Sequence, residues 1–470
     1  MNSARPNAIA GILALCAAIL TIIAEFIARG EIGALGAIFI GLFVALEWPR
    51  LPVAGKVFVV IAVALFGVAL LADDPWKLFM TGFERAAFMS AFLIALGFLR
   101  AAAEGSDIVE RCGRHLLSQR PGKRYLAFWT GGTLFGGIIS VGILGLFGTM
   151  ITTANTLQSA GGDARIQQLR TKRSMLALLR GFTCSLLWTP MSISLAVVLK
   201  SLPNMMWQTV LIAGGGMALL QFVVGWLIDR LSHRPARIPP PEINSGDGWS
   251  VHLFPAGLIV VIFLIAWSLE HWTSGTLIAG VMTGAPLVSL IWLAAQGRKR
   301  PATKSAVHIT DRVRRYVSES VPSFRMEITI LSTAGFAGAV VGYFLDPATV
   351  ARGLDWLGAP AFIVPGLIIL AIVVGGLLGL NAIITVMIIS GALPNPEAFG
   401  VHSVIIGVTY LTSWGLTVGS SPVAMSTLII GNLTGRSGGT VGLNWNGMYT
   451  LLAGLLAAVL CGAAVVLFPV

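Results

Sequence analysis

The side chains able to bind a small polar ligand are few, and they recur in pairs. Two [Thr/Ser]-Pro steps, Thr189-Pro190 and Ser421-Pro422, stand inside apolar runs. Proline removes one rung of a helix ladder, and the preceding hydroxyl can serve either the freed backbone or a ligand. Asn381 is the only Asn in the core of the apolar run 362–393. A buried amide needs partners, so it reads either as a ligand for substrate or Na⁺ or as a helix cap. Ser140 and Gly142 hold the matching place in the run 125–154, where glycine allows close backbone approach or helix packing. Ser420, Thr183, Ser192, Thr417 and Ser426 are further polar candidates, and Trp188 and Trp414 flank the breaks. Arg180, about one turn into its span, could contact an anion or snorkel to the cytoplasmic surface.

What is missing is equally informative. Glu25 and Glu47 fall near span ends and read as interfacial, and Glu327 opens its span. A proton relay of mid-membrane carboxylates therefore has little support. The six histidines and four cysteines show no metal or redox spacing. No cofactor is expected beyond Na⁺ as a coupling ion. Nucleotide-binding motifs are absent, and no paired acid and base suggest an enzyme.

These residues sit in a chain of 470 residues, 56% hydrophobic and 11% charged, with a mean hydropathy of +0.85. Soluble proteins carry about 25% charged residues. Apolar runs of bilayer-spanning length recur from end to end, which makes the chain an all-α polytopic membrane protein. The net charge of +11 reads as an orientation signal, with Lys and Arg in cytoplasmic loops, rather than as a nucleic-acid footprint. The first apolar run is expected to be a retained helix rather than a cleaved signal.

Spans are expected near 8–28, 31–48, 57–72, 86–103, 176–200, 208–229, 251–269, 274–295, 326–345, 402–431 and 447–467. Charge places the N-terminus in the cytoplasm of an inner or plasma membrane. The stretch 125–154 is too long for one crossing, is basic on both flanks and is interrupted by Gly131-Gly132 and Gly136-Gly137. It reads as a re-entrant hairpin. The stretch 362–393, broken at Gly375-Gly376 and Gly379, reads as a second. Non-helical backbone at membrane depth must face protein or a wet cavity.

Two units then share one order of parts: a span, a surface helix (106–118; 347–357), a hairpin, a broken span and a last span. They start on opposite sides of the membrane, as inverted repeats do. The expected organisation is N-terminal scaffold helices over 1–80, a first repeat over 81–232, a linker, helix pair and basic loop over 233–325, and a second repeat over 326–470. Inverted repeats with broken helices are a transporter design.

With these features the chain resembles the ion transporter superfamily, which includes divalent anion/Na⁺ symporters, citrate carriers and the large membrane subunits of TRAP transporters. The resemblance covers about residues 80–470. It implies a scaffold domain that dimerises and a transport domain that moves like an elevator. The symporters carry Ser-Asn-Thr at each hairpin tip, whereas this chain has Ser140-Val141-Gly142 and Gly379-Leu380-Asn381. That departure counts against a dicarboxylate. The expected function is a secondary transporter of a small, organic anion coupled to Na⁺ or H⁺. The alternatives are a TRAP-like membrane subunit, a lipid carrier or a membrane-embedded enzyme.

Overall fold

The computed structural model describes residues 8–202, 205–232, 246–297, 302–345, 352, 360–393 and 395–470. Side chains of Pro121 and of 302–308, that of His308 among them, lie outside that description, as do residues 233–245 of the expected linker, His233 included, and the expected surface helix near 347–357 (Arg352 apart).

All described regular structure is helical. The first four helices are α1 (Ala8–Phe26), α2 (Gly30–Glu47), α3 (Val53–Ala69) and α4 (Pro75–Ala103). Next come α5 (Asp107–Leu117), α6 (Pro121–Ile139), α7 (Gly142–Ala154), α8 (Ala164–Ser185), α9 (Ile193–Ser201) and α10 (Trp207–Ser232). After the linker follow α11 (Leu253–Trp272), α12 (Leu277–Gly297), α13 (Ala302–Arg315) and α14 (Arg325–Phe344). The last are α15 (Val364–Leu377), α16 (Ala382–Ala392), α17 (Ser403–Ser420), α18 (Met425–Thr434) and α19 (Gly447–Leu467). Among the described residues, nine helical segments are long and apolar enough to cross a membrane. The two stretches read as hairpins are each a helix, a short break and a second helix: α6–α7 and α15–α16. The two spans read as broken are broken, between α8 and α9 and between α17 and α18.

The chain forms two compact units, each assembled from separate stretches. Unit one is residues 1–106, 258–350 and 387–394. Its axis is α4, which starts where Asp74 accepts from Lys77 N at 3.0 Å with Pro75 in the first turn. Phe66, Phe79, Phe83 and Phe336 stack in a chain with centroids 4.3–6.4 Å apart, locking α3, α4 and α14 together. Glu47 is not the interfacial residue its place near a span end suggests. It is fully buried and accepts from Arg50 and Arg325, each at 2.9 Å. A buried carboxylate persists only when paired in this way.

Unit two is residues 107–257, 351–386 and 395–470. Glycine sets its closest contacts. A methyl at Gly132 would meet Leu178 O at 2.4 Å, and one at Gly181 would meet Trp129 O at 2.2 Å. Helices α6 and α8 therefore touch backbone to backbone, and Thr133 Oγ1 donates to Gly181 O at 2.9 Å across the seam. The amphipathic α5 is held by an ion pair from Arg111 to Asp247.

Candidate functional site

The site is built from the two breaks, which share one pattern of hydrogen bonds around their prolines. Residues 421 and 189, 422 and 190, 426 and 194, and 418 and 186 each differ by 232. Pro190 has no N–H to give Leu186 O, and Pro422 has none for Val418 O. In both breaks a serine four residues beyond the proline repairs the loss. Ser194 Oγ donates to Leu186 O at 2.6 Å, and Ser426 Oγ donates to Val418 O. Each break then closes by the same turn, with Ser192 N on Thr189 O at 3.0 Å and Ala424 N on Ser421 O at 3.3 Å.

This repair separates structural hydroxyls from free ones. Ser192 caps α9 through Leu195 N at 3.2 Å. Thr183 donates to Arg180 O at 3.1 Å, Thr417 to Ile372 O at 3.3 Å and Ser420 to Leu416 O at 2.8 Å. The two hydroxyls directly before the prolines are different. Thr189 is 1% exposed and Ser421 3%, and neither hydroxyl has a hydrogen-bond partner among the described residues. A buried hydroxyl without a partner is uncommon and calls for an explanation. Helix α18 adds donors beside Ser421, because its N-cap is Ala424 and no side chain caps its first turn.

The hairpins meet the breaks through glycine. A methyl at Gly136 would meet Ser185 Oγ at 2.5 Å, and one at Gly137 would meet Thr189 Oγ1 at 2.9 Å. In the second repeat a methyl at Gly376 would meet Thr417 Cγ2 at 2.1 Å. The tips agree in backbone as well. Ser140 has φ +55° and ψ −143°, and Gly379 has φ +96°. Such a φ suits glycine, and for a serine it stores strain of about 1–3 kcal/mol. The Ser140 side chain is exposed, and Gly142 opens α7. Asn381 caps, with Oδ1 accepting from Ile383 N at 2.9 Å. Its amide nitrogen makes no hydrogen bond among the described residues.

Arg180 does not snorkel. It is 2% exposed, and Nε donates to Asn446 Oδ1 at 2.9 Å while Nη1 donates to Gly225 O at 3.2 Å. Its guanidinium lies 4.6 Å from the centroid of the Tyr449 ring. Asn446 Nδ2 in turn donates to Gly419 O at 3.0 Å, which ties α8 to the break that ends α17. A side chain long enough to reach water is instead held by a partner 266 residues away in the chain. Asn446 was missed because one Asn before a span carries no pattern. Thr412 and Tyr410, whose buried hydroxyls are also unpartnered among the described residues, were missed within a run of helical Thr and Ser.

Thr189-Pro190 and Ser421-Pro422 are thus two equivalent corners within unit two. The crossing of α8 and α17 lies six residues before each corner, where a methyl at Gly415 would meet Thr183 O at 2.9 Å. No cluster of three or more potential metal ligands occurs among the described residues.

No protein-family model and no curated protein matches the sequence. Solved structures do match. The YdaH transporter of Alcanivorax borkumensis, whose structure was described as revealing an unusual topology, aligns with a TM-score of 0.56 at 15% identity, over 88% of this chain and 98% of that one. MtrF of Neisseria gonorrhoeae, from a class of antimetabolite efflux pumps, aligns with a TM-score of 0.55 at 11% identity, over 88% of this chain and 95% of that one. At such identity the likeness is one of fold. The chain is a polytopic, all-α membrane protein with the fold of these transporters.

Proposed function

We propose that the protein is a secondary active transporter of a small organic anion, with the paired breaks as its substrate site. The observation that carries this is the pair of buried, unpartnered hydroxyls of Thr189 and Ser421 at equivalent positions. The uncapped first turn of α18 beside Ser421 favours negative charge. The likeness to YdaH and MtrF supports transport, and the efflux class of MtrF makes export the first direction to test. Coupling to Na⁺ or H⁺ and a homodimeric scaffold belong to the same proposal. In it unit two, which holds both breaks, moves as the elevator, and unit one is the scaffold.

The test is a thermal-shift screen of small organic anions with and without Na⁺, followed by flux measurements in proteoliposomes. Thr189→Val and Ser421→Ala are each expected to weaken ligand affinity about two- to tenfold, read as a smaller ligand shift, and to slow flux. Unchanged ligand response and flux in both variants would overturn the site assignment. Ligand shifts from neutral or cationic compounds alone would overturn the anion.

A further inference from the structure

Unit two contains a polar cavity whose walls include none of the residues of the paired breaks. It has a volume of about 480 Å³ and lies where the ends of α7 and α18 meet the first two turns of α8 and the turn before α19. Its walls include Asn155, Arg165, Lys172, Thr434, Arg436 and Trp445, and among the described residues no Asp or Glu lines it. Asn155 is fixed in place, with Nδ2 donating to Gln167 O at 2.8 Å and to Thr171 Oγ1 at 2.6 Å. Lys172 Nζ lies 5.7 Å from the centroid of the Trp445 ring.

Orientation of the helices needs positive charge but not this arrangement. The basic run around α8 shows the difference. Arg173 is paired with Asp229, its Nη2 2.7 Å from Oδ2, and Arg170 donates to Ser159 O at 2.9 Å. Arg165 and Lys172, from the same run, instead line the cavity with Arg436. None of the three forms an ion pair among the described residues. Three cations around one concave, acid-free wall repel one another, and a bound anion relieves that cost. The volume lies within the range of small-molecule pockets, about 300–1,000 Å³, and is far larger than a bare inorganic ion needs.

We infer that this cavity is a binding site for an organic oxyanion, a carboxylate or a phosphate ester, separate from the paired breaks. Arg165 and Arg436 supply charged donors, Lys172 a point charge and Trp445 an apolar face. Charge along the sequence places its mouth on the cytoplasmic side. A soluble metabolite and an anionic lipid headgroup present the same chemistry here.

Binding is measured on the full chain by isothermal titration in neutral detergent, with citrate and glycerol 3-phosphate as soluble probes. The lipid arm compares thermal stability in nanodiscs of phosphatidylglycerol and phosphatidylcholine. The expected result is binding in at least one arm that weakens roughly a hundredfold in the Arg165→Gln/Arg436→Gln double variant. That corresponds to about tenfold for each charge-assisted hydrogen bond removed. Arg165→Lys/Arg436→Lys, which keeps the charge, recovers a large part of it. Affinity also falls steeply as salt rises. Binding removed by the double Gln variant belongs to this cavity and binding removed only by Ser421→Ala belongs to the paired breaks, so failure of the transport site and failure of this one are distinguishable. A response to citrate or glycerol 3-phosphate identifies a soluble ligand, and a response confined to phosphatidylglycerol identifies a headgroup. No response in either arm, or an equal response in the double Gln variant, overturns the site.

Discussion

Removing the Ser421 hydroxyl has opposite expected effects on stability and on binding. The hydroxyl is 3% exposed and unpartnered among the described residues. Burying such a group without a hydrogen bond costs about 1–3 kcal/mol on mutational scales. Ser421→Ala deletes the cost and breaks no bond, so the free protein should be as stable as the parent or more stable by up to about 1–3 kcal/mol. Thr189→Val, which keeps the shape of the side chain, should behave alike. Ser426→Ala is the control. Its hydroxyl is the repairing donor to Val418 O, and its removal leaves that carbonyl bare at a cost of about 1–3 kcal/mol. Ser194→Ala should cost less, because Ser192 Oγ stands 3.4 Å from the same Leu186 O and can take over. Equilibrium denaturation in detergent, read by near-ultraviolet circular dichroism, ranks the four variants. Ligand affinity should move the other way, with Ser421→Ala weakening it about two- to tenfold for one hydrogen bond of about 0.5–1.5 kcal/mol. A Ser421→Ala protein that is less stable than Ser426→Ala would refute the reasoning, because the hydroxyl would then be holding the break together.

Three further outcomes follow from the packing and the backbone. Gly132→Ala puts a methyl 2.4 Å from Leu178 O and should cost at least about 1–3 kcal/mol, whereas Gly145→Ala meets nothing within 4 Å and should be tolerated; thermal melts of both decide. Ser140→Gly should raise stability by about 1 kcal/mol, the relief of a φ of +55° less the entropy of glycine, and denaturant midpoints check it. In a Cys16→Ser background, Lys123→Cys and Gln158→Cys should both label from one side of the membrane, since a re-entrant α6–α7 brings both ends to the same face. Labelling from opposite sides makes the segment a crossing and removes the inversion.

Helix existence was legible because it rests on local composition. The runs of 125–154 and 362–393 exceed one crossing, and both contain a break, at Ser140-Val141 and at 378–381. Proline placed both breaks of the long spans correctly, for the same local reason. Partner choice was not legible. The sequence places Ser421 next to the proline but does not say where either hydroxyl points: Ser420 turns back to Leu416 O, and Ser421 has no partner among the described residues. The snorkelling reading of Arg180 and the interfacial reading of Glu47 fail for a related reason. Distance from a span end predicts exposure only when no distant partner is supplied, and Asn446 and Arg325 supply one in each case.

The geometry at the crossing of α8 and α17 shows what kind of repeat this is. Under the offset of 232, Thr183 corresponds to Gly415 and Leu187 to Gly419. A methyl at Gly415 would meet Leu187 Cδ1 at 2.9 Å, and one at Gly419 would meet Thr183 Cγ2 at 3.3 Å. Exchanging the two repeats turns the first contact into the second, and the Thr183–Gly415 contact into itself. That self-pairing is how a two-fold interface behaves, here within a single chain. The tie from Arg180 through Asn446 to Gly419 breaks the symmetry, because the residue equivalent to Arg180 is Thr412, whose hydroxyl has no partner among the described residues. The two breaks are thus related by the two-fold and the tie is not. On the proposed function, the symmetric hydroxyls of Thr189 and Ser421 suit a substrate site, whereas Arg180, with no counterpart in the other repeat, suits a structural tie between α8 and α17.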